Sequence, residues 1–313
     1  MPLDPDVALF LRGAGQRLTF PAGARNDPRL AAAYLAKARA ALSAPATGPR
    51  EPVHEVFDEV LAGGVAVRVY RGTDSDGAPL LVYFHGGGWV SGGLEMNDAL
   101  CRRLANLTRC TLVSVDYRLA PEHPYPAARD DCLTAIQWAR EEAKRLGADP
   151  RHVSVAGTSS GGNLAAAVAL VSRDRNLATL RAQLLLYPVL DHAMTTSSYL
   201  ANGTGYLLER TQMEWYWDQY LPQRDGNVSP YAAPAAATDL SLLPSAVVVS
   251  AEFDPLRDEA ELYAGRLAAA GVATELLRFS GQIHGFLTFL GAMPAADTAI
   301  TEIAAAARRA WTS

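Results

Sequence analysis

The chain has 313 residues, with 28 Lys+Arg against 33 Asp+Glu and a formal net charge of −5. Hydrophobic residues make up 49% and charged residues 19%, which excludes a disordered chain, and 25 glycines without a period exclude collagen. A chain this long can bury a large core, about two domains' worth, and its mild acidity argues against binding along nucleic-acid phosphates.

The N-terminal MPLDPDVALFLRGAG has no basic n-region and only a short apolar run, so it does not read as a signal peptide. The first fifty residues look helical and amphipathic: Pro28-Arg29-Leu30 opens a run of strong helix formers that Gly48-Pro49 breaks. Residues 55–72 read as two strands around Gly63-Gly64, a hairpin signal. From residue 79 strands and helices alternate. Strands are expected at 80–85, 111–117, 152–157, 183–188, 246–254 and 273–281. Helices are expected at 97–107, at 127–146 ending on Gly147, at 161–172, at 259–270 capped by Gly271, and at 295–311. Asp149-Pro150 reads as a break. This rhythm implies an α/β protein with a mostly parallel sheet covered on both faces. Residues 191–235 interrupt it with an aromatic-dense insertion holding Tyr206, Trp215, Tyr216, Trp217 and Tyr220, which reads equally as a lid or as an ordinary packed helix.

Cys101, Cys110 and Cys132 are too few and too irregularly spaced for a disulfide framework or a zinc site, so reduced structural thiols and a reducing, cytoplasmic setting are expected. No stretch approaches the roughly 18 apolar residues of a membrane span. The N-x-[ST] triplets at Asn106, Asn202 and Asn227 read as chance.

Gly157-Thr158-Ser159-Ser160-Gly161 is a G-x-S-x-G turn between a strand and a helix, which would thrust the Ser159 hydroxyl out beside a helix N-terminus that favours negative charge. His85-Gly86-Gly87-Gly88-Trp89 also follows a buried strand. Three consecutive glycines mark a place where backbone approaches something closely, and their N–H groups can point at an oxyanion. Of six histidines, His284 is the best base for Ser159, because it follows the last strand among glycines and reaches the same end of the sheet; His85 is a distant second. Asp254 ends the preceding strand and is the best orienting carboxylate. Glu252 lies still within that strand, and Asp258 is expected to cap the next helix. The order Ser159, Asp254, His284 is that of α/β-hydrolases.

The chain resembles the microbial hormone-sensitive-lipase-like esterases of the α/β-hydrolase superfamily. The resemblance rests on HGGGW (85–89), DYRLAPEHPYPA (116–127), GTSSGGNLA (157–165), DPLRD (254–258) and IHGF (283–286), in that order, and covers roughly residues 50–290. It implies an α/β-hydrolase fold with an eight-stranded, mostly parallel sheet and a helical cap. The cap would combine residues 1–50 with an insertion at 191–235, and the catalytic core would comprise 51–190 and 236–313. By the same resemblance Ser159 is the nucleophile, His284 the base and Asp254 the orienting acid. The N–H groups of Gly87, Gly88 and Ser160 form the oxyanion hole, His85 holds the glycine loop, and Arg118 and Glu122 brace the site. Trp89, Tyr187, Tyr206, Leu207 and Phe286 are the expected substrate-lining residues.

Two positions depart from the usual pattern: Thr158 stands where many members have Asp, and Ser160, where Ala is usual, adds a hydroxyl expected near the acyl group. The expected reaction is hydrolysis of short to medium acyl esters through an acyl-enzyme, without metal or organic cofactor, with activity falling in acid as His284 protonates. The alternatives are an amidase or arylformamidase using the same triad, and a non-catalytic ligand-binding protein on the same fold, which the presence of His284 disfavours. The chain is expected to act on a small molecule as a monomer or as a homodimer through its last strand and helix.

Overall fold

A computed structural model describes residues 2–13, 15, 20–42, 50–223 and 228–312. The expected break at Gly48-Pro49 and the Asn227 triplet lie outside the described residues.

Eight strands form one sheet: β1 (Glu55–Val60), β2 (Ala66–Arg71), β3 (Ala78–Phe84), β4 (Thr111–Asp116), β5 (Ala148–Thr158), β6 (Leu180–Leu186), β7 (Ser245–Phe253) and β8 (Thr274–Ile283). Their order is β1-β2-β4-β3-β5-β6-β7-β8. β1 pairs antiparallel with β2 through the Gly63-Gly64 hairpin, and β2 is antiparallel to β4. The pairs from β4 through β3 and on to β8 are parallel. Continuous apolar runs such as Leu80–Phe84 mark strands buried on both faces. Leu80, Val82 and Phe84 enter one core, while Leu81 and Tyr83 enter the other.

The helices are α1 (Pro5–Arg12), α2 (Pro28–Leu42), α3 (Asp98–Thr108), α4 (Ala127–Glu141), α5 (Ser160–Asp174), α6 (Ser197–Ala201), α7 (Arg210–Tyr220), α8 (Arg257–Ala269) and α9 (Pro294–Thr312). Apolar residues of α4, α5, α8 and α7 share the first core, and those of α3 and α9 the second. α5 is buried without interruption from Ser160 to Ser172, as a helix apolar all round must be.

The expected elements shift in two places. α4 stops at Glu141, and turns carry the chain on to Gly147. There Ala148 N–H donates to Ala143 O (2.7 Å) and Gly147 N–H to Lys144 O (3.1 Å), a glycine-closed Schellman arrangement with Gly147 at φ 72°. Gly271 closes α8 in the same way. Asp149-Pro150 does not break the chain: it lies inside β5, where the ladder with β3 shifts register between Ala78 and Leu80, so the missing proline N–H falls at an irregularity.

The N-terminal segment and the 191–235 insertion pack on each other. Phe20, Tyr34 and Trp215 form an aromatic cluster, and Arg25 pairs with Glu214 (2.6 Å) and Asp218 (2.8 Å). All three cysteines are free and buried. Burial pushes their thiols up, that of Cys110 to about 12. Among the described residues no helix is long and apolar enough to cross a membrane, and no cluster of His, Cys, Asp and Glu could hold a metal ion.

Candidate active site

β5 ends at Thr158 and α5 begins at Ser160, leaving Ser159 as a single-residue elbow at φ 54°, ψ −117°. Such a conformation stores about 1–3 kcal/mol in a non-glycine residue and persists only where its surroundings enforce it. Here Ser159 N–H donates to Leu186 O (2.9 Å), and Ser159 O accepts from Val189 N–H and Asn163 N–H (3.1 Å each). The flanking glycines allow the close approach. A Cβ on Gly157 would stand 2.1 Å from Gly161 O, and one on Gly161 would stand 2.0 Å from Phe84 O.

His284 immediately follows β8, and Asp254 immediately follows β7. The Asp254 carboxylate is fully buried, with Oδ1 accepting from Leu256 N–H (2.8 Å) and Oδ2 lying 2.8 Å from His284 Nδ1. A carboxylate acceptor requires the proton on Nδ1, which leaves Nε2 free to accept. Nε2 lies 2.9 Å from Ser159 Oγ. The structure thus joins the three expected triad residues in one relay, at the C-terminal ends of three parallel strands.

The glycine loop lies against the elbow: a Cβ on Gly86 would stand 3.3 Å from that of Ser159. Gly87 (φ 115°) and Gly88 (φ 62°) have left-handed backbones. Gly87 O is taken by Ser91 N–H and by Ser91 Oγ. Among the described residues the N–H groups of Gly87, Gly88 and Ser160 donate to no protein acceptor. His85 is buried and stacked on Tyr117 (4.1 Å), and its Nδ1 donates to Gly86 O (2.7 Å). Burial pushes its imidazole down to about 4, so near neutrality the ring is an uncharged brace.

Other expected residues take different places. Trp89 is fully buried, stacked on Tyr220 (4.2 Å) and tilted on Trp217 (4.7 Å), so it is core packing. Phe286 is also fully buried, against Tyr187 and Phe279. Tyr187 is buried and meets His284 in a T-shaped ring contact, centroids 5.1 Å apart. Burial and the nearby Asp254 charge push its phenol up. Tyr206 and Leu207 are half-buried, with the Tyr206 ring 5.1 Å from Phe253. Ser160 is fully buried and Tyr117 is its neighbour, so its hydroxyl is enclosed beneath the turn instead of facing an acyl group. Arg118 pairs with Asp131 (2.7 Å), and Glu122 pairs with Arg39 of α2 (2.6 Å), so each ties its own loop to a helix instead of touching the triad. Asp258 lies in the first turn of α8 and accepts from Ser198 N–H (2.7 Å), because α6 rather than its own helix supplies the donor.

Three features have no local sequence signature. Thr158 Oγ1 hydrogen-bonds Tyr83 OH (3.0 Å), which donates to Asn97 Oδ1 (3.0 Å), bracing the elbow from β3 and the start of α3. From the insertion, Asn202 Nδ2 donates to Glu252 O (3.1 Å) and Asp254 O (3.2 Å), and Ser198 Oγ to Pro255 O (2.6 Å), fixing the loop that carries the acid. Asn202 is thereby spoken for as a buried side chain, in keeping with a chance triplet. Glu259, buried in α8, accepts from Leu190 N–H (2.7 Å), and desolvation holds its carboxyl well above the usual range.

The alpha/beta hydrolase fold family model matches residues 81–288. An arylesterase of Saccharolobus solfataricus is 37% identical over 291 residues, covering 92% of this chain and 93% of that protein. An ethyl acetate hydrolase of Pseudomonas putida is 33% identical over 314 residues, covering 97% of this chain and 98% of its own. Among solved structures, a hyperthermophilic esterase from the archaeon Pyrobaculum calidifontis superposes with a TM-score of 0.88 at 40% identity, over 99% of each chain.

Proposed function

The chain belongs to the alpha/beta hydrolase family, and from that premise we propose that it is a serine carboxylesterase with Ser159 as nucleophile, His284 as base and Asp254 as orienting acid. The observation that carries this reading is the continuous relay from Ser159 Oγ through His284 to Asp254, at 2.9 and 2.8 Å, beside three uncommitted backbone N–H groups.

Ser159 Oγ attacks the ester carbonyl while His284 Nε2 takes its proton, and the carbonyl π electrons move onto oxygen. The resulting oxyanion receives hydrogen bonds from Gly87, Gly88 and Ser160 N–H. Asp254 holds the imidazolium in place. Collapse of the tetrahedral intermediate breaks the bond to the alkoxy oxygen, and His284 returns the proton to the leaving alcohol. Water then attacks the acyl-enzyme with His284 again as base, releasing the carboxylic acid and restoring Ser159. No step draws on a metal or organic cofactor.

The N-terminal segment and the 191–235 insertion form the cap, a reading supported by their shared aromatic cluster and by Tyr216 lying over Gly88. Half-buried Tyr206 and Leu207 flank the acyl group under that cap, which favours short to medium chains. Three free, buried thiols fit a reducing, cytoplasmic setting.

The test is initial rates on p-nitrophenyl esters of increasing acyl length, with wild type and Ser159→Ala side by side. We expect rates that peak at short chains and fall by about 10⁶ in the variant, the loss known for a hydrolase stripped of its serine. A wild type inactive on every ester, or a variant that keeps its rate, overturns the reading.

A further inference from the structure

Helix α2 touches the glycine loop in two ways. Directly, Arg39 Nε donates to Val90 O (2.9 Å), one residue beyond the HGGGW run. The same guanidinium donates to Ala120 O (3.1 Å) and is held in a fork by both oxygens of Glu122 (2.7 and 2.6 Å). Ala120 N–H in turn donates to Trp89 O (2.9 Å), so one cation joins two loops that already share a backbone hydrogen bond. Indirectly, Tyr34 OH lies 3.1 Å from Tyr216 OH, and Gln212 Nε2 donates to both phenols. The face of Tyr216 lies so close over Gly88 that a Cβ there would stand 2.5 Å from its ring.

The loop held in this way carries two of the three proposed oxyanion donors. Its glycines lack side chains that could anchor it, and its left-handed φ values at Gly87 and Gly88 have no intrinsic preference over alternatives. The donors act only if they stay about 2.7–3.1 Å from the oxyanion position. His85 and Ser91 hold the loop's Gly86 and Gly87 carbonyls, and α2 adds a direct hold at Val90 through Arg39 and an indirect one over Gly88 through Tyr216.

We propose that Arg39 is a positioning residue for the oxyanion hole: by holding Val90 O and Ala120 O it fixes the limb of the glycine loop that follows Gly87 and Gly88. The proposal rests on the esterase reading above. A planar guanidinium suits the task because three acceptors converge on it from different directions, a geometry that an ammonium does not reproduce. The contribution falls on the transition state, where negative charge develops on the carbonyl oxygen, and not on ground-state binding.

The experiment compares Arg39→Ala, Arg39→Lys and Arg25→Ala in the full chain. Arg25 is the control because it also ties the N-terminal segment to α7, through Glu214 and Asp218, yet makes no contact with the glycine loop. Two readouts are taken: steady-state kcat and KM on a short p-nitrophenyl ester, and inhibition by an aryl trifluoromethyl ketone. Serine adds to that ketone to give a tetrahedral adduct whose oxyanion occupies the hole. We expect Arg39→Ala to lower kcat by about 10- to 100-fold, less than the 10²–10³ lost with an entire donor. KM should stay within about threefold, and the inhibition constant should rise in step with the loss of kcat. Arg39→Lys should fall between wild type and Ala, and Arg25→Ala should keep kcat within about twofold. Wild-type kcat in Arg39→Lys overturns the proposal, and that variant carries the test if the alanine form does not fold. Equal losses in Arg25→Ala and Arg39→Ala also overturn it, since docking of the segment as a whole would then be what matters. Activity that survives Ser159→Ala sinks the esterase reading instead, whatever Arg39 does.

Discussion

Gly88 shows how narrowly single residues are specified here. A methyl group would meet the Tyr216 ring at 2.5 Å, on a backbone already at φ 62°. Gly88→Ala should therefore displace one oxyanion donor and lower kcat by about 10²-fold with KM little changed, which steady-state kinetics would read. Thr158 is a gentler case. Thr158→Val removes its hydrogen bond to Tyr83 but leaves Tyr83 its bond to Asn97, so a loss of about 1 kcal/mol is expected in urea unfolding. These two residues differ in how far the sequence reveals them. The glycines announce themselves because three in a row after an apolar strand have few other uses. The role of Thr158 is hidden because its partner stands 75 residues away, on the neighbouring strand.

Helices and strands repeat the contrast. Strands buried on both faces read directly from apolar runs, and Gly147 and Gly271 mark closures because only glycine takes those turns without strain. What α6 and α7 contact is not readable from their own residues. Trp89 looks like a pocket residue beside the glycine loop, yet α7 brings Trp217 and Tyr220 onto it and makes it core. Trp217→Ala should therefore destabilise the fold by about 3–5 kcal/mol, measurable by chemical denaturation. The link between α2 and the loop at 117–126 is pH-dependent. Hydrogen bonding from Arg39 holds the Glu122 carboxyl down at about 2. A depressed carboxyl contributes fully above its unfolded value near 4.3 and loses that contribution as pH falls toward 2. Glu122 is half exposed, so the effect on global stability is small. The expected outcome is easier proteolysis of the N-terminal segment by pepsin below pH 4 than in an acid-insensitive Glu122→Gln comparison, normalised to each protein's cleavage at pH 4.5.

At the scale of the whole molecule the sheet does the assembling. Residues 159, 254 and 284 meet because β5, β7 and β8 run parallel and end together, so alternation of strands and helices already places them on one face. The order of the strands and the packing of the N-terminal segment on the insertion depend on contacts no local pattern encodes. One buried group ties global stability to acidity. His85 is neutral in the fold down to about pH 4, whereas an unfolded chain takes up the proton near 6.5. Stability is therefore full above pH 6.5 and falls as pH drops toward 4, by about 3 kcal/mol. Thermal melts from pH 7.5 to 4 should show this slope, and His85→Asn should flatten it even though its melting temperature is lower throughout.

The three buried cysteines have a practical consequence. Thiols pushed up by burial present almost no thiolate to an electrophile, which leaves Ser159 as the residue poised to be modified in the native state. A fluorophosphonate should therefore titrate active sites with one equivalent per chain, while maleimide should label nothing until the chain is unfolded. Because the native surface offers no competing sulfhydryl, a single cysteine engineered onto α2 or α7 would carry a fluorophore at one address, ready to report distance changes across the cap during turnover.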